Sequence, residues 1–186
     1  PAREKVIAFT QPYTQSPTTF LVEKDSPLAK MPDTGERVSL DDKAAMDKAI
    51  AAISPILKGK TVGAQVATIQ ANFLKTYLGD VATIRTYKTT EEHDLDLSAG
   101  RIDAALASVS YFISTLAKPG GDKFTEVGPL FVGGLLGKGT GVGMRKADGE
   151  LVDMFNKALS AAKEDGTLKA LSLKWFKVDI SPPPSS

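Results

Sequence analysis

The 186-residue chain has no cysteine and a single histidine, His93. The first absence excludes disulfides, thiolate catalysis and sulfur-ligated metal sites; the second excludes paired-histidine zinc motifs. Charge of one sign is also lacking. With 23 Lys and Arg against 22 Asp and Glu, the formal net charge is +1, too balanced to support nucleic-acid binding through a basic surface. No apolar run approaches the roughly 18–20 residues that would span a bilayer as a helix. A methionine start is absent too: the chain opens Pro1-Ala2-Arg3, which reads as a processed, trimmed or partial sequence. What is present suits a packed core, since 42% of residues are hydrophobic and 24% charged, ordinary values for a globular chain. At roughly 100–200 residues per domain, this length allows one domain or two small lobes.

The chain begins with two extended segments, Val6–Thr10 and Thr18–Val22, separated by Pro12, Ser16 and Pro17. From Lys24 to Leu40, scattered charges with Pro27, Pro32 and Gly35 read as a long surface loop. Asp41 or Asp42 caps a helix with apolar Ala45, Ala49, Ala52 and Ile53, expected to end before Pro55. A rhythm follows: strand Thr61–Gln65, helix Thr68–Leu78, strand Thr83–Tyr87, helix Thr90–Ala99, strand Ile102–Ala107, then a helix carrying Val109, Phe112, Ile113 and Leu116. Alternation at this spacing predicts βαβ units laid out as a parallel sheet covered on both faces. Beyond Pro129 the chain is glycine-rich, with a strand at Thr140–Met144. Two helices close it, striped by Leu151, Phe155, Ala158, Leu159 and Ala162 and then by Leu168, Leu171 and Trp175, with Gly166 as a C-terminal cap between them.

Catalytic and nucleotide motifs fail on spacing. Gly59-Lys60-Thr61 lacks the upstream glycine of a phosphate-binding loop and opens a strand instead of following one. The glycines from Gly137 to Gly143 do not fit G-x-G-x-x-G. No serine sits in a G-x-S-x-G elbow. The acidic run Glu91-Glu92-His93-Asp94-Leu95-Asp96 reads as the first turn and solvated face of a helix, with His93 on the surface. No cofactor and no metal are expected. The rhythm does predict a place for a ligand, beyond the C-terminal ends of the strands, where helix N-termini leave backbone N–H groups unpaired. Gln65–Gln70 and Ala107-Ser108-Val109 form two such turns, their hydroxyl residues suited to capping the helices and their free N–H groups to holding an anion such as a carboxylate.

The order of segments then becomes informative. Arg3–Thr10 followed by Pro12-Tyr13, Leu57–Gly63, Leu97–Ala104, Gly139–Lys146, and Asp165-Gly166-Thr167 before Trp175-Phe176 resemble the polar-amino-acid solute-binding proteins of ABC importers. The resemblance covers nearly the whole chain. The segment from Lys24 to Pro55 and the ending Trp175–Ile180 are most similar to the opine and basic-amino-acid binders.

This resemblance implies an α/β, type II periplasmic-binding-protein fold: two doubly wound lobes joined by two crossing segments and closing over a ligand, with the first lobe incomplete here. Residues 1–23 would end lobe 1 and make the first crossing, 24–59 would form an insertion, and 60–128 the core of lobe 2. Residues 129–138 would make the second crossing, 139–180 return to lobe 1, and 181–186 form a tail. A missing N-terminal segment of the same protein would complete lobe 1, and without it ligand would be held below native affinity. The implied location is periplasmic, after removal of a signal peptide, with an inner-membrane ABC permease as partner and a small molecule, an amino acid or opine, as ligand.

The resemblance also implies site residues. Arg3 matches the arginine that clamps the ligand's α-carboxylate, a role suited to a planar, always-charged guanidinium. Thr68 and Ile69 match residues at a helix N-terminus that contact the same group, Ile69 through its backbone N–H, with Gln70 beside them. Apart from the resemblance, Lys138, polar amid glycines near the second crossing, is a candidate to meet an extra carboxylate. Ser108 departs from the pattern. Amino-acid binders usually carry an aspartate there to pair with the α-ammonium, so a hydroxyl points to a ligand with a substituted α-nitrogen, as in an opine. Ordinary basic-amino-acid binding stands as the alternative; a cyclohexadienyl-type dehydratase on the same fold, and a sensor domain, stand as others. No enzymatic activity is expected, since the dehydratase needs an acid where Ser108 stands.

Overall fold

A computed structural model describes residues 3–182. In chain order its elements are β1 (Ile7–Phe9), β2 (Thr18–Glu23), β3 (Arg37–Ser39), α1 (Lys43–Leu57), β4 (Thr61–Gln65), α2 (Ile69–Leu78) and β5 (Thr83–Tyr87). There follow α3 (Thr90–Ser98), β6 (Ala104–Ser108), α4 (Val109–Leu116), β7 (Phe124–Val132), β8 (Gly143–Arg145), α5 (Gly149–Glu164) and α6 (Thr167–Phe176). Contacts divide the chain into two compact units, one formed by Pro17–Gly137 and the other by Pro1–Ser16 with Lys138–Ser186.

The Pro17–Gly137 unit is a six-stranded sheet in the order β3-β7-β2-β6-β4-β5. It is mixed and not, as the alternation suggests, wholly parallel. β4 runs parallel to β5 and β6, and β3 parallel to β7, but β2 is antiparallel to both its neighbours, β6 and β7. The alternation of elements reports crossover connections and carries no information about a strand that enters the sheet without one. β2 is buried from Thr18 to Val22, and Thr19 is satisfied there by donating to the Val127 carbonyl at 2.9 Å. Two apolar layers cover the sheet. One joins Phe20, Val22, Phe131 and Val127 to α1 and α2 through Ile53, Leu57, Phe73 and Leu74; the other joins Leu21, Ala105 and Phe124 to α3 and α4 through Leu97 and Phe112.

Two strands lie where the sequence pattern shows none. β3 is a three-residue edge strand inside the stretch read as a loop. β7 is masked by Gly128-Pro129, which look like a turn. Its register against β2 shifts between Thr18 and Phe20, and this irregularity accommodates a proline without a ladder donor and a glycine at φ +78°. At Gly128 a Cβ would meet Met31 Sδ at 2.6 Å, so the packing as well as the backbone demands glycine.

α1 is capped by Asp42, whose carboxylate accepts from Ala45 N–H, but it runs through Pro55 instead of ending before it. Leu57, in the last turn, is fully buried, and Ser54 Oγ donates to the Ile50 carbonyl at 2.7 Å beside the interruption. Burial of the last turn thus offsets the missing proline donor. α3 carries a capping box: Thr89 Oγ1 accepts from Glu92 N–H and Glu92 Oε2 accepts from Thr89 N–H.

In the other unit β1 pairs antiparallel with β8, and Gln11 binds α5 through Asn156 and Ser160. Gly166 takes φ +80° just beyond α5, as its capping role requires. The expected apolar stripes do form on α5 and α6, yet α5 buries none of its described residues, and Leu151, Phe155, Leu171 and Trp175 are exposed.

Phe73 joins α2 to the sheet, its ring 4.8 Å from Phe131 and 5.2 Å from Tyr77 between centroids. Phe73→Ala is expected to lower stability by about 3–5 kcal/mol, read from the urea-unfolding midpoint.

Candidate functional site

The parallel run β5-β4-β6 brings the C-terminal ends of β4 and β6 to one end of the sheet, where a cavity of about 240 Å³ lies. Gln65, Thr68, Gln70, Thr90, Ser108 and Tyr111 supply its polar lining, and Leu106 and Ala107 the remainder. Three of the expected site residues, Thr68, Gln70 and Ser108, are therefore brought together. Ile69 stands beside them as the first residue of α2, its side chain exposed. Lys138 is exposed and belongs to the Lys138–Ser186 portion of the other unit, its carbonyl accepting from Gln15 at 3.3 Å. Arg3 is at the start of the described backbone, and its side chain lies outside what the structure describes.

The two helix starts differ. Thr68 caps α2, its hydroxyl accepting from Ala71 N–H at 3.1 Å and donating to the Gln65 carbonyl at 2.7 Å. The preceding Ala67 is held at φ +59°, an unfavourable conformation for a residue with a Cβ. The Ile69 and Gln70 N–H groups, one and two residues into α2, have no intrahelical acceptor and are the donors an anion would use. At α4, Ser108 Oγ accepts from Tyr111 N–H at 3.3 Å, while Val109 N–H is taken by the Pro17 carbonyl at 2.9 Å. Gln70 Nε2 reaches Thr18 Oγ1 at 3.3 Å, tying the α2 turn to β2.

Among the described residues no charged side chain belongs to the cavity lining; charge lies one layer behind. The Tyr111 hydroxyl donates to Asp94 Oδ2 at 2.7 Å, and Thr115 Oγ1 donates to the same oxygen at 3.0 Å. Burial works against ionisation of Asp94, but His93, Tyr111 and Thr115 outweigh it and hold the carboxyl below its ordinary range. His93 is fully buried, contrary to the surface position expected. Its Nδ1 is 3.0 Å from Asp94 Oδ1 without hydrogen-bond geometry, and neither ring nitrogen has a hydrogen-bond partner among the described residues. Tyr87 donates to Asp96 at 2.7 Å, and Arg101 and Arg85 also meet that carboxylate.

Of the polar lining, Gln65, Thr90 and Tyr111 are not among the expected site residues, although Gln65 opens one of the expected turns. The rule that located Thr68 and Ser108 also covers Thr90, the first residue of α3, because it too follows a parallel strand. Tyr111, in the first turn of α4, is within the same reach. Nothing in the local pattern singles out Gln65, whose side chain donates to the Lys88 carbonyl at 3.1 Å.

Residues 1–178 match the family described as bacterial extracellular solute-binding proteins, family 3. The chain belongs to this family. Relatives include the octopine-binding periplasmic protein of Rhizobium meliloti, 39% identical, with 98% of this chain and 68% of that protein covered. The lysine/arginine/ornithine-binding periplasmic protein of Escherichia coli (strain K12) is 36% identical over 78% of this chain and 60% of its own length. Among solved structures, an ancestral arginine-binding protein bound to arginine superposes with a TM-score of 0.67 at 24% identity, covering 94% of this chain and 66% of that one. A periplasmic His/Glu/Gln/Arg/opine family-binding protein from Silicibacter pomeroyi in complex with lysine gives 0.60 at 28% identity, covering 98% and 67%. The α/β fold is thus that of type II periplasmic binding proteins, and this chain spans about two thirds of the family members it matches.

Thr68→Ala removes the α2 cap and is expected to cost about 1 kcal/mol in chemical denaturation. Burial, with the Asp94 carboxylate in support, pushes the Tyr111 phenol up to about 12. Its contribution to stability is therefore complete below the ordinary tyrosine value of about 10 and is lost as pH rises through about 12. Burial and Asp96 also raise the Tyr87 phenol, so alkaline ultraviolet titration is expected to show late ionisation that Tyr111→Phe reduces by one phenol.

Proposed function

We propose that this chain is the ligand-capturing part of a periplasmic receptor for an ABC importer, and that its ligand is an amino acid whose α-nitrogen is substituted, as in an opine. The absence of a carboxylate from the cavity's described lining carries the proposal. A primary ammonium buried beside Ser108 would face a hydroxyl already engaged at the α4 cap and no anion on the lining, a deficit of several kcal/mol by order of magnitude. A secondary nitrogen flanked by the carboxylate of its own substituent carries part of its compensation with it. The octopine-binding relative supports the same chemistry. The ligand's α-carboxylate is assigned to the Ile69 and Gln70 N–H groups with Thr68, and by family resemblance to the Arg3 guanidinium; Lys138 is proposed for a second carboxylate.

The receptor binds and releases without transforming its ligand, and delivers it to an inner-membrane ABC permease. The passages between units, at Ser16–Pro17 and Gly137–Lys138, are proposed as the two crossing segments that the family resemblance implies. Ordinary basic-amino-acid binding is the competing reading, favoured by the lysine/arginine/ornithine-binding relative.

Amide chemical-shift titration with octopine and with L-arginine, carried to millimolar ligand, separates the two. Octopine is expected to shift the Ile69, Gln70 and Ser108 amides at lower concentration than L-arginine does. Tighter L-arginine binding overturns the opine assignment, and silence of these amides toward both overturns the site. Ser108→Asp supplies the anion and is expected to reverse the preference toward L-arginine.

A further inference from the structure

Tyr111 lines the cavity, and its hydroxyl is committed to Asp94, which is not part of the described lining. Asp94 is on α3; Tyr111 and Thr115 are one turn apart on α4, and both donate to the same carboxylate oxygen. One side chain thus fastens two turns of α4 to α3. The His93 ring, fully buried, stands edge-on to the Tyr111 ring at 6.0 Å between centroids and 75° between planes. The ring is fixed by a hydrogen bond at its tip and by a packed neighbour at its edge.

We propose that Asp94 is a positioning residue whose hold on Tyr111 makes that ring the wall against which the ligand's N-linked substituent lies, so that the pair selects an N-substituted over a plain amino acid. The proposal rests on the reading of the site given above. Ser108 and Tyr111 share the first turn of α4, with Ser108 Oγ accepting the Tyr111 N–H at 3.3 Å. A ligand nitrogen placed at Ser108 therefore brings its substituent toward Tyr111. A phenol whose hydroxyl is already paired offers apolar surface without exposing an unmet donor to the ligand.

Three variants test the proposal by calorimetric titration of the full chain with octopine and L-arginine. Tyr111→Phe keeps the ring and removes the hold; Asp94→Leu removes the acceptor; Asp94→Asn keeps an acceptor oxygen. Tyr111→Phe and Asp94→Leu are each expected to weaken octopine about tenfold while changing L-arginine by less than about twofold, with less than additive loss when combined. Asp94→Asn is expected to retain most of the selectivity. Equal loss for both probes, additive losses, or an unchanged octopine affinity overturns the proposal, and Tyr111→Phe decides alone where Asp94→Leu does not fold. If neither probe binds the unaltered chain, the functional reading fails and this proposal falls with it. Nuclear Overhauser contacts between the rings of Tyr111 and His93 give a check without ligand: they are expected in the unaltered chain and lost in Asp94→Leu, and their persistence there overturns the positioning role.

Discussion

The cavity depends on β6 being held between neighbours of opposite sense. Its parallel partner β4 sends the chain the same way, so both strands end at one edge of the sheet and the helices that follow start there. Its antiparallel partner β2 brings Thr18 opposite Ser108, and the residue before it, Pro17, gives its carbonyl to Val109 N–H. One helix start is thus consumed by the fold while the other is left with donors. The outcome is an asymmetric site: α2 offers N–H groups suited to an anion, and α4 offers a capped turn with a hydroxyl and a ring. Had β2 been parallel, its first residue would lie at the opposite edge and the Pro17–Val109 bond could not form.

Charge follows the same division. The polar part of the described lining is made of amides, hydroxyls and a phenol, while Asp94 meets the Tyr111 hydroxyl and Asp96 meets Tyr87, Arg85 and Arg101, none of these charges being on that lining. Each tyrosine passes its hydroxyl to a carboxylate on α3, and Tyr111, the one of the two on the lining, stands between the cavity and Asp94. Dispersing the carboxylates among several donors stabilises their ionised form: Arg101 and Tyr87, against a smaller effect of burial, hold Asp96 below its ordinary range. A bare aspartate at the end of β6 would bring charge into the cavity itself. Ser108 keeps it out, and the octopine-binding relative is consistent with a ligand that tolerates this.

Much of this was legible from residue pattern. β4 and β5 fall where apolar alternation puts them, and α2 and α4 begin at the hydroxyl residues suited to cap them, because those signals are local. The direction of β2 was not legible, since a buried strand reads the same in either sense. Neither was β7: Gly128-Pro129 announce a turn, and only the register shift opposite Thr19 explains their place in a strand. The candidate site was half legible. Thr68 and Ser108 follow from strand ends, whereas Tyr111 enters the cavity because Asp94 holds it, a contact between residues 17 positions apart that no local spacing reveals.

The misplaced histidine shows why the remainder escaped. In an acidic run His93 looks solvated, but α3 lies close over β4 at Gly63, where an added Cβ would meet Ile102 at 2.6 Å, Tyr87 at 3.1 Å and His93 Cβ at 3.3 Å. The missing side chain in the strand is what admits the histidine beneath the helix. Once there, His93 turns the next residue, Asp94, toward α4, and with it the hold on Tyr111. A glycine in a central strand and the wall of a cavity are therefore linked through one packed layer. A larger residue at position 63 would disturb the site by moving α3, without touching any residue that lines it.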